Sequence, residues 1–395
     1  MNLCNRKYNI NISTLFFVVS FYIYIFASVW AQTEFKIIYD EYVVNFFQWI
    51  AIFLIIAKIF YDKKINNINF LVWIVLSFVA VLISYKSGNF KKILPIFLYA
   101  LAGSNVNCKT IVKTSFFSII TVMIITVLGS LIGIIPFEFY EVNGRIRYNL
   151  GFFYTSYISN YFFHVILMYI YVKKQRLIGI ETFIILFLNY VIYRFTDTRA
   201  VYYEILVLII MCWVLSSKTV KFEKLKLTKV CFIISFISCA FIALYLQIYY
   251  NQNIGWMNRL NYLLSYRLSL GHAAFFKYGL SFFGQVVEWT TYNTNVFNKY
   301  FFVDSSYLNV LLNYGVILFV LLIIGFTLLM KQNIEKKQLY CCIALLMLSV
   351  HSITDPQLFD IVCNPFLLLL GHFFSFAKKN NVVNKKSNNI QRRDI

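Results

Sequence analysis

Residues 180–215 read IETFIILFLNYVIYRFTDTRAVYYEILVLIIMCWVL, two apolar runs on either side of a short polar turn. Each run approaches the ~20 residues an α-helix needs to cross ~30 Å of hydrocarbon. The turn, RFTDTR at 194–199, carries two guanidiniums and a carboxylate, more charge than a tight connection requires. The surrounding pattern recurs along all 395 residues, which are 60% hydrophobic and only 13% charged, with a mean hydropathy of +0.70. Soluble proteins average roughly 25% charged residues. The sequence therefore predicts an all-α, polytopic integral membrane protein.

About twelve transmembrane helices are expected, near 13–31, 43–61, 68–85, 93–107, 114–136, 152–172, 177–195, 200–216, 229–249, 305–330, 338–353 and 361–377. They form a single polytopic membrane domain over 1–377, followed by a basic tail at 378–395. The run after Arg6 and Lys7 exceeds a signal-peptide core in length and reads as a retained first helix. The formal charge of +20 would suggest nucleic acid in a soluble chain. Here 24 of the 36 Lys and Arg fall on termini, connections and span ends that face the cytoplasm when both termini do. The positive-inside rule supports that orientation and explains most of the charge without a nucleic-acid partner. The eight cysteines sit mostly in or beside spans, with no metal spacing and no extracellular framework.

One long hydrophilic segment, 250–303, lies outside the cytoplasm between the ninth and tenth spans. A connection that long is usually functional. Within it, WMNRLNYLLSYRLSL (256–270) sets Trp256, Leu260, Leu263 and Arg267 at helical spacing, which predicts an amphipathic helix on the membrane surface. Arginines gather on this outer side: Arg145, Arg147, Arg194, Arg199, Arg259 and Arg267 are six of the ten in the chain, against six of the 26 lysines. Arginine grips phosphate through two parallel N–H donors, whereas lysine acts as a point charge. The outer face is expected to hold phosphate. Asp197 or Thr198 can cap the helix that Arg199 opens, and a cation there opposes the helix dipole unless an anion sits between them. The alternative is a plain Asp197–arginine surface pair. Glu204, one turn further on, can orient Arg199.

RIRYNLGF (145–152), TDTRA (196–200), LLSYRLSLG (263–271) and VDSSYLNVLLNYGVILF (303–319) follow in that order. This arrangement resembles the Wzy-type polymerases of bacterial capsular and O-antigen polysaccharides and, more distantly, the O-antigen ligases of the same superfamily. The resemblance covers roughly 137–330. It implies a metal-independent membrane glycosyltransferase, without a cofactor, in the bacterial plasma membrane. That enzyme would join undecaprenyl-pyrophosphate-linked oligosaccharide repeat units at the outer face, with a chain-length regulator and a flippase as pathway partners. By position, Arg147, Arg199 and Arg267 match the family's outer-face arginines, with Arg145, Arg194 and Arg259 as helpers. The ligases carry His, a polar residue, nine residues and Gly; here Asp304, Ser305, nine residues and Gly315 fit that spacing with Asp in place of His. The departure favours a polymerase and makes Asp304 the candidate general base, since an acceptor hydroxyl must lose a proton as it attacks. A helix N-cap is the competing role for Asp304.

Further candidates are Tyr307 as a sugar contact, and His272, or His351 with Asp355, as a second base. His164 and His372 fall inside spans and read as interior residues. A flippase of the same lipid-linked oligosaccharide is the alternative class, and a ligase-type transferase the nearer one. A flippase usually shows two related halves, and no internal repeat is present here.

Overall fold

The computed structural model describes residues 11–62, 67–142, 144–215, 226–291 and 300–374. The basic tail and the start of the chain lie outside them. The fold is a mostly helical bundle. In order come α1 (Ile12–Trp30), α2 (Glu41–Tyr61), α3 (Asn67–Ser87), α4 (Phe90–Gly103), α5 (Cys108–Leu131), α6 (Tyr157–Lys173), α7 (Gly179–Thr196) and α8 (Arg199–Leu215). Then follow α9 (Lys226–Ile248), α10 (Gly255–Leu263), α11 (Arg267–Tyr278), α12 (Ser306–Glu335) and α13 (Leu339–His351), with a closing 3-10 helix at Pro365–Phe374. Among the described residues six helices, α1, α2, α5, α7, α9 and α12, are long and apolar enough to cross a membrane. Large apolar side chains such as Phe53, Phe60, Phe78 and Phe183 stand exposed along the helices, a surface suited to hydrocarbon and not to water.

Hydrogen bonds among the described residues tie helix ends together at two opposite ends of the bundle. At one end, Glu34 N donates to Gly151 O (2.8 Å) and Arg267 Nη1 to Thr354 O (2.6 Å), which joins the α1–α2, α5–α6, α9–α12 and post-α13 connections. At the other, buried Lys58 donates to Ala102 O (2.5 Å) and Lys174 to Gln338 Oε1 (3.0 Å), which joins the α2–α3, α4–α5, α6–α7 and α12–α13 ends. The arginine-bearing segments all belong to the first end.

Two local features depart from the sequence reading. A β-hairpin, β1 (Phe139–Val142) with β2 (Arg145–Tyr148), interrupts the helical pattern, with Val142 paired to Arg145; the sequence between these two reads Asn-Gly. Asn-Gly is a favoured two-residue hairpin turn. Strand alternation puts Arg145 and Arg147 on one face. Residues 256–270 form two helices instead of one, because Ser265 and Tyr266 adopt left-handed backbone (φ 54° and 64°). Asn261 stitches that break, its Oδ1 accepting from Leu268 N and Ser269 N, both at 3.1 Å.

Helix α12 breaks at Gly315 (φ 85°, ψ 172°). The freed N–H groups of Val316 and Ile317 donate to Ser281 O (2.9 Å) and Phe282 O (3.2 Å), while Asn313 O accepts from Gln285 N (3.1 Å). The 279–285 strap thus replaces helical bonds, and Gly284 crosses against Gly315 backbone to backbone. A Cβ on Gly315 would sit 2.4 Å from Gly284 N. This gives the glycine of the Asp304-Ser305-x9-Gly315 spacing a physical reason. Gly315→Ala is expected to cost roughly 3 kcal/mol from backbone strain plus this clash. Gly144→Ala, also at positive φ but with nothing within 4 Å, is expected to cost roughly 1 kcal/mol. Thermal unfolding in detergent compares the two.

Candidate functional site

The α7–α8 turn is held from the hairpin side. Asp197 ends α7 in left-handed backbone (φ 46°), a conformation an aspartate tolerates better than most residues. Its carboxylate Oδ2 accepts from Arg145 Nε, and its carbonyl accepts from Arg145 Nη2 at 2.8 Å. Arg147 Nε donates to Thr196 O (2.7 Å) and its Nη2 to Thr198 Oγ1 (3.3 Å). Arg199, whose side chain is 60% exposed, reaches the other Asp197 oxygen at 3.4 Å. Asp197 is therefore paired with two arginines, and Thr198 takes the start of α8, its carbonyl accepting from Tyr202 N at 3.2 Å. Partial burial pushes the Asp197 carboxyl up, but the Arg145 and Arg199 guanidiniums outweigh that and hold it below its ordinary value. Arg194 is exposed, and no acidic side chain pairs with it among the described residues. A cleft of about 270 Å³ opens here, lined by Arg145, Ile146, Tyr193, Arg194 and Asp197.

The second group lies at the start of α11 and α12. Arg267 Nε and Asp304 Oδ2 are 2.9 Å apart, and Arg267 Nη1 donates to Thr354 O. The two residues singled out separately in the sequence thus form one ion pair. Ser305, not Asp304, occupies the N-cap position of α12. Burial pushes the Asp304 carboxyl up and Arg267 pulls it back. Ser306 ties this start to the loop after α13: its N–H donates to Ser352 O (3.0 Å), its Oγ donates to Asp355 O, and Leu358 N donates to that Oγ (3.0 Å).

Beneath both groups sits a buried polar cluster. His351 Nδ1 is 2.6 Å from Glu204 Oε2 and its Nε2 is 3.9 Å from Asp355 Oδ1. Asn160 Nδ2 donates to Asp355 Oδ2 at 2.6 Å, and His164 Nε2 lies 2.7 Å from Gln357 Oε1. Glu204 is thus committed to His351 and does not orient Arg199, which Asp197 holds. Burial, only partly offset by His351 and Arg267, pushes the Asp355 carboxyl up to about 6.

A carboxyl whose folded pKa is raised penalises the fold once it ionises. That penalty is fully present above about pH 6 and is relieved as pH falls toward the ordinary value of 3.8. Asp355→Asn is therefore expected to raise thermal stability at pH 8, by up to about 3 kcal/mol, with the gain shrinking between pH 6 and pH 4. Unfolding midpoints of both proteins across that range check it.

Other expected residues fall elsewhere. Tyr307 is fully buried and its hydroxyl donates to Ser349 O (2.8 Å), so it packs the core instead of lining an open sugar site. His272 is pinned through Nδ1 to Ile248 O (3.0 Å) and packs on Phe276. Arg259 stands exposed on α10, and among the described residues no contact joins it to either group. His372 bonds Val106 O (2.6 Å) at the opposite end. The described residues contain no His/Cys/Asp/Glu group with metal-binding geometry.

No family model, curated protein or solved structure matches the chain. Asn160 and Thr354 carry no motif of their own, and Ser306 is not singled out within its stretch. Only the fold, by closing the post-α13 loop over α12, gives them a place.

Proposed function

We propose that the chain polymerises undecaprenyl-pyrophosphate-linked oligosaccharide repeat units at the outer face of the bacterial plasma membrane. The observation that carries this reading is the convergence of Arg145, Arg147, Arg194 and Arg199 on one turn holding a single aspartate, beside an open cleft. The excess positive charge suits a pyrophosphate. The Arg267–Asp304 pair at the same end supplies a carboxylate for the acceptor.

In the proposed step an acceptor sugar hydroxyl attacks the anomeric carbon of the lipid-linked donor. Its proton passes to the Asp304 carboxylate. The bond from the anomeric carbon to the pyrophosphate oxygen breaks, and undecaprenyl pyrophosphate leaves with both electrons of that bond. Guanidiniums placed where this charge develops lower the barrier. The bilayer supplies the lipid carrier, and a chain-length regulator and a flippase of the same pathway would act beside it.

A deletion strain tests the class. Single repeat units accumulating on lipid in the outer leaflet support the polymerase. Units trapped in the inner leaflet indicate the flippase reading, and finished polymer left on lipid indicates a ligase. Orientation is checked by Asn253→Cys in a background without native cysteines. An impermeant maleimide is expected to label it on intact cells with an accessible outer surface. Labelling only after lysis would overturn the outer placement. The second loop position suited to this probe, Thr294, lies outside the described residues.

A further inference from the structure

The buried imidazole of His351 has no role in the transfer step above, yet its position joins the two halves of the site. His351 ends α13 and is 2% exposed. Its Nδ1 meets Glu204, which lies on α8 five residues past Arg199, roughly 7.5 Å along the axis at 1.5 Å per residue. Its Nε2 faces Asp355, the neighbour of Thr354, whose carbonyl accepts from Arg267. One arm therefore leads to the α7–α8 arginine turn and the other to the Arg267–Asp304 pair.

The two arms differ in tightness. The Glu204 contact is a formed hydrogen bond at 2.6 Å, whereas the Asp355 contact at 3.9 Å is too long to be one. His351 Nε2 and Asp355 Oδ1 are both buried without a hydrogen-bond partner. Buried polar atoms left in that condition are costly, so closing the gap is favourable if the loop can move. Because Arg267 Nη1 holds the Thr354 carbonyl, a shift of Arg267 toward an anion would carry the adjoining Asp355 with it. Asn160, whose Nδ2 holds the other Asp355 oxygen, limits the direction of that movement.

We propose that His351 is a positioning residue that couples the α7–α8 arginine turn to the Arg267–Asp304 pair, so that a pyrophosphate-bearing lipid is gripped by both as one unit. This rests on the lipid-pyrophosphate donor reading and adds to it a cooperative grip on the donor.

The test is a double-mutant cycle on binding of farnesyl pyrophosphate, a short polyprenyl pyrophosphate, by the purified full chain in lipid nanodiscs. Arg199→Ala, Arg267→Ala and the double variant are measured, first with His351 intact. Their losses in affinity are expected to be non-additive, the double variant losing roughly tenfold less than the product of the singles. The cycle is then repeated with His351→Asn, whose amide reaches the Nδ1 position, and His351→Gln, whose amide reaches the Nε2 position. Each keeps one arm and loses the other, and in both backgrounds the two arginine effects are expected to multiply independently. Glu204→Ala, which removes the group that meets His351 Nδ1, gives the same reading should either His351 variant unfold. Coupling that survives in these backgrounds, or additive effects with His351 intact, overturns the coupling role while leaving the donor reading in place. No binding by the unaltered protein removes the donor reading, and the coupling role with it.

Discussion

Arg199→Ala is expected to abolish polymer while the protein remains inserted and abundant. Its side chain is mostly exposed, and its ion pair to Asp197 is long at 3.4 Å. Such a pair contributes about 0–1 kcal/mol to stability. The turn does not depend on it, because Arg145 and Arg147 already tie the Asp197 and Thr196 carbonyls to the hairpin. What is lost is a guanidinium at the first residue of α8, where backbone N–H groups and the positive end of the helix dipole also favour an anion. Arg199→Lys is expected to be nearly as poor, since an ammonium cannot present two parallel donors. Arg147→Ala should behave differently, lowering thermal stability along with activity, because it removes the support for the turn. Polymer length and membrane abundance, measured together for the three variants, separate these outcomes. Polymer of normal length from Arg199→Ala would remove the turn from the site.

The helical membrane character was legible because composition and the length of apolar runs respond directly to hydrocarbon. The span count was not legible to the same degree. Among the described residues α6 has 17 residues and α13 has 13, and 365–374 within the last expected span form a 3-10 helix. Apolarity alone does not separate a full crossing from a short helix packed among others. The hairpin was missed although Asn143-Gly144, flanked by residues of high strand propensity, announces it.

At the site, residue type and sidedness singled out Arg267 and Asp304, but nothing local could show that they pair across the 36 residues between them. Glu204 was readable as an intramembrane acid, yet spacing along α8 pointed it at Arg199, whereas packing of α13 on α8 gave it to His351. Tyr307 shows the opposite error. Its position one turn from Asp304 suggested a site residue, but helix α12 turns that face into the core.

Asp304→Asn is expected to lower turnover roughly 10²–10⁴-fold, the contribution of a positioned general base. The N-cap role no longer competes, because Ser305 holds that position. The competing role is that of counterion to Arg267, 2.9 Å away. Asparagine keeps the size and can still accept a hydrogen bond from the guanidinium, but it removes the charge. If Asp304 serves only to hold Arg267, the loss should appear in donor affinity and thermal stability and should depend little on pH. If it is the base, affinity changes little, and in the unaltered protein turnover rises with pH as the carboxyl ionises. Burial places that rise above the ordinary aspartate range, and Arg267 limits how far. The variant should lose this limb of the profile, because an amide does not titrate. Polymerisation of lipid-linked repeat units by the purified variant, followed across pH beside donor binding, reads both quantities. Wild-type turnover with a weakened donor grip would leave Asp304 as an anchor for Arg267. The proton would then need another acceptor at the same end, and the buried pair of His351 and Asp355 would be the next to test.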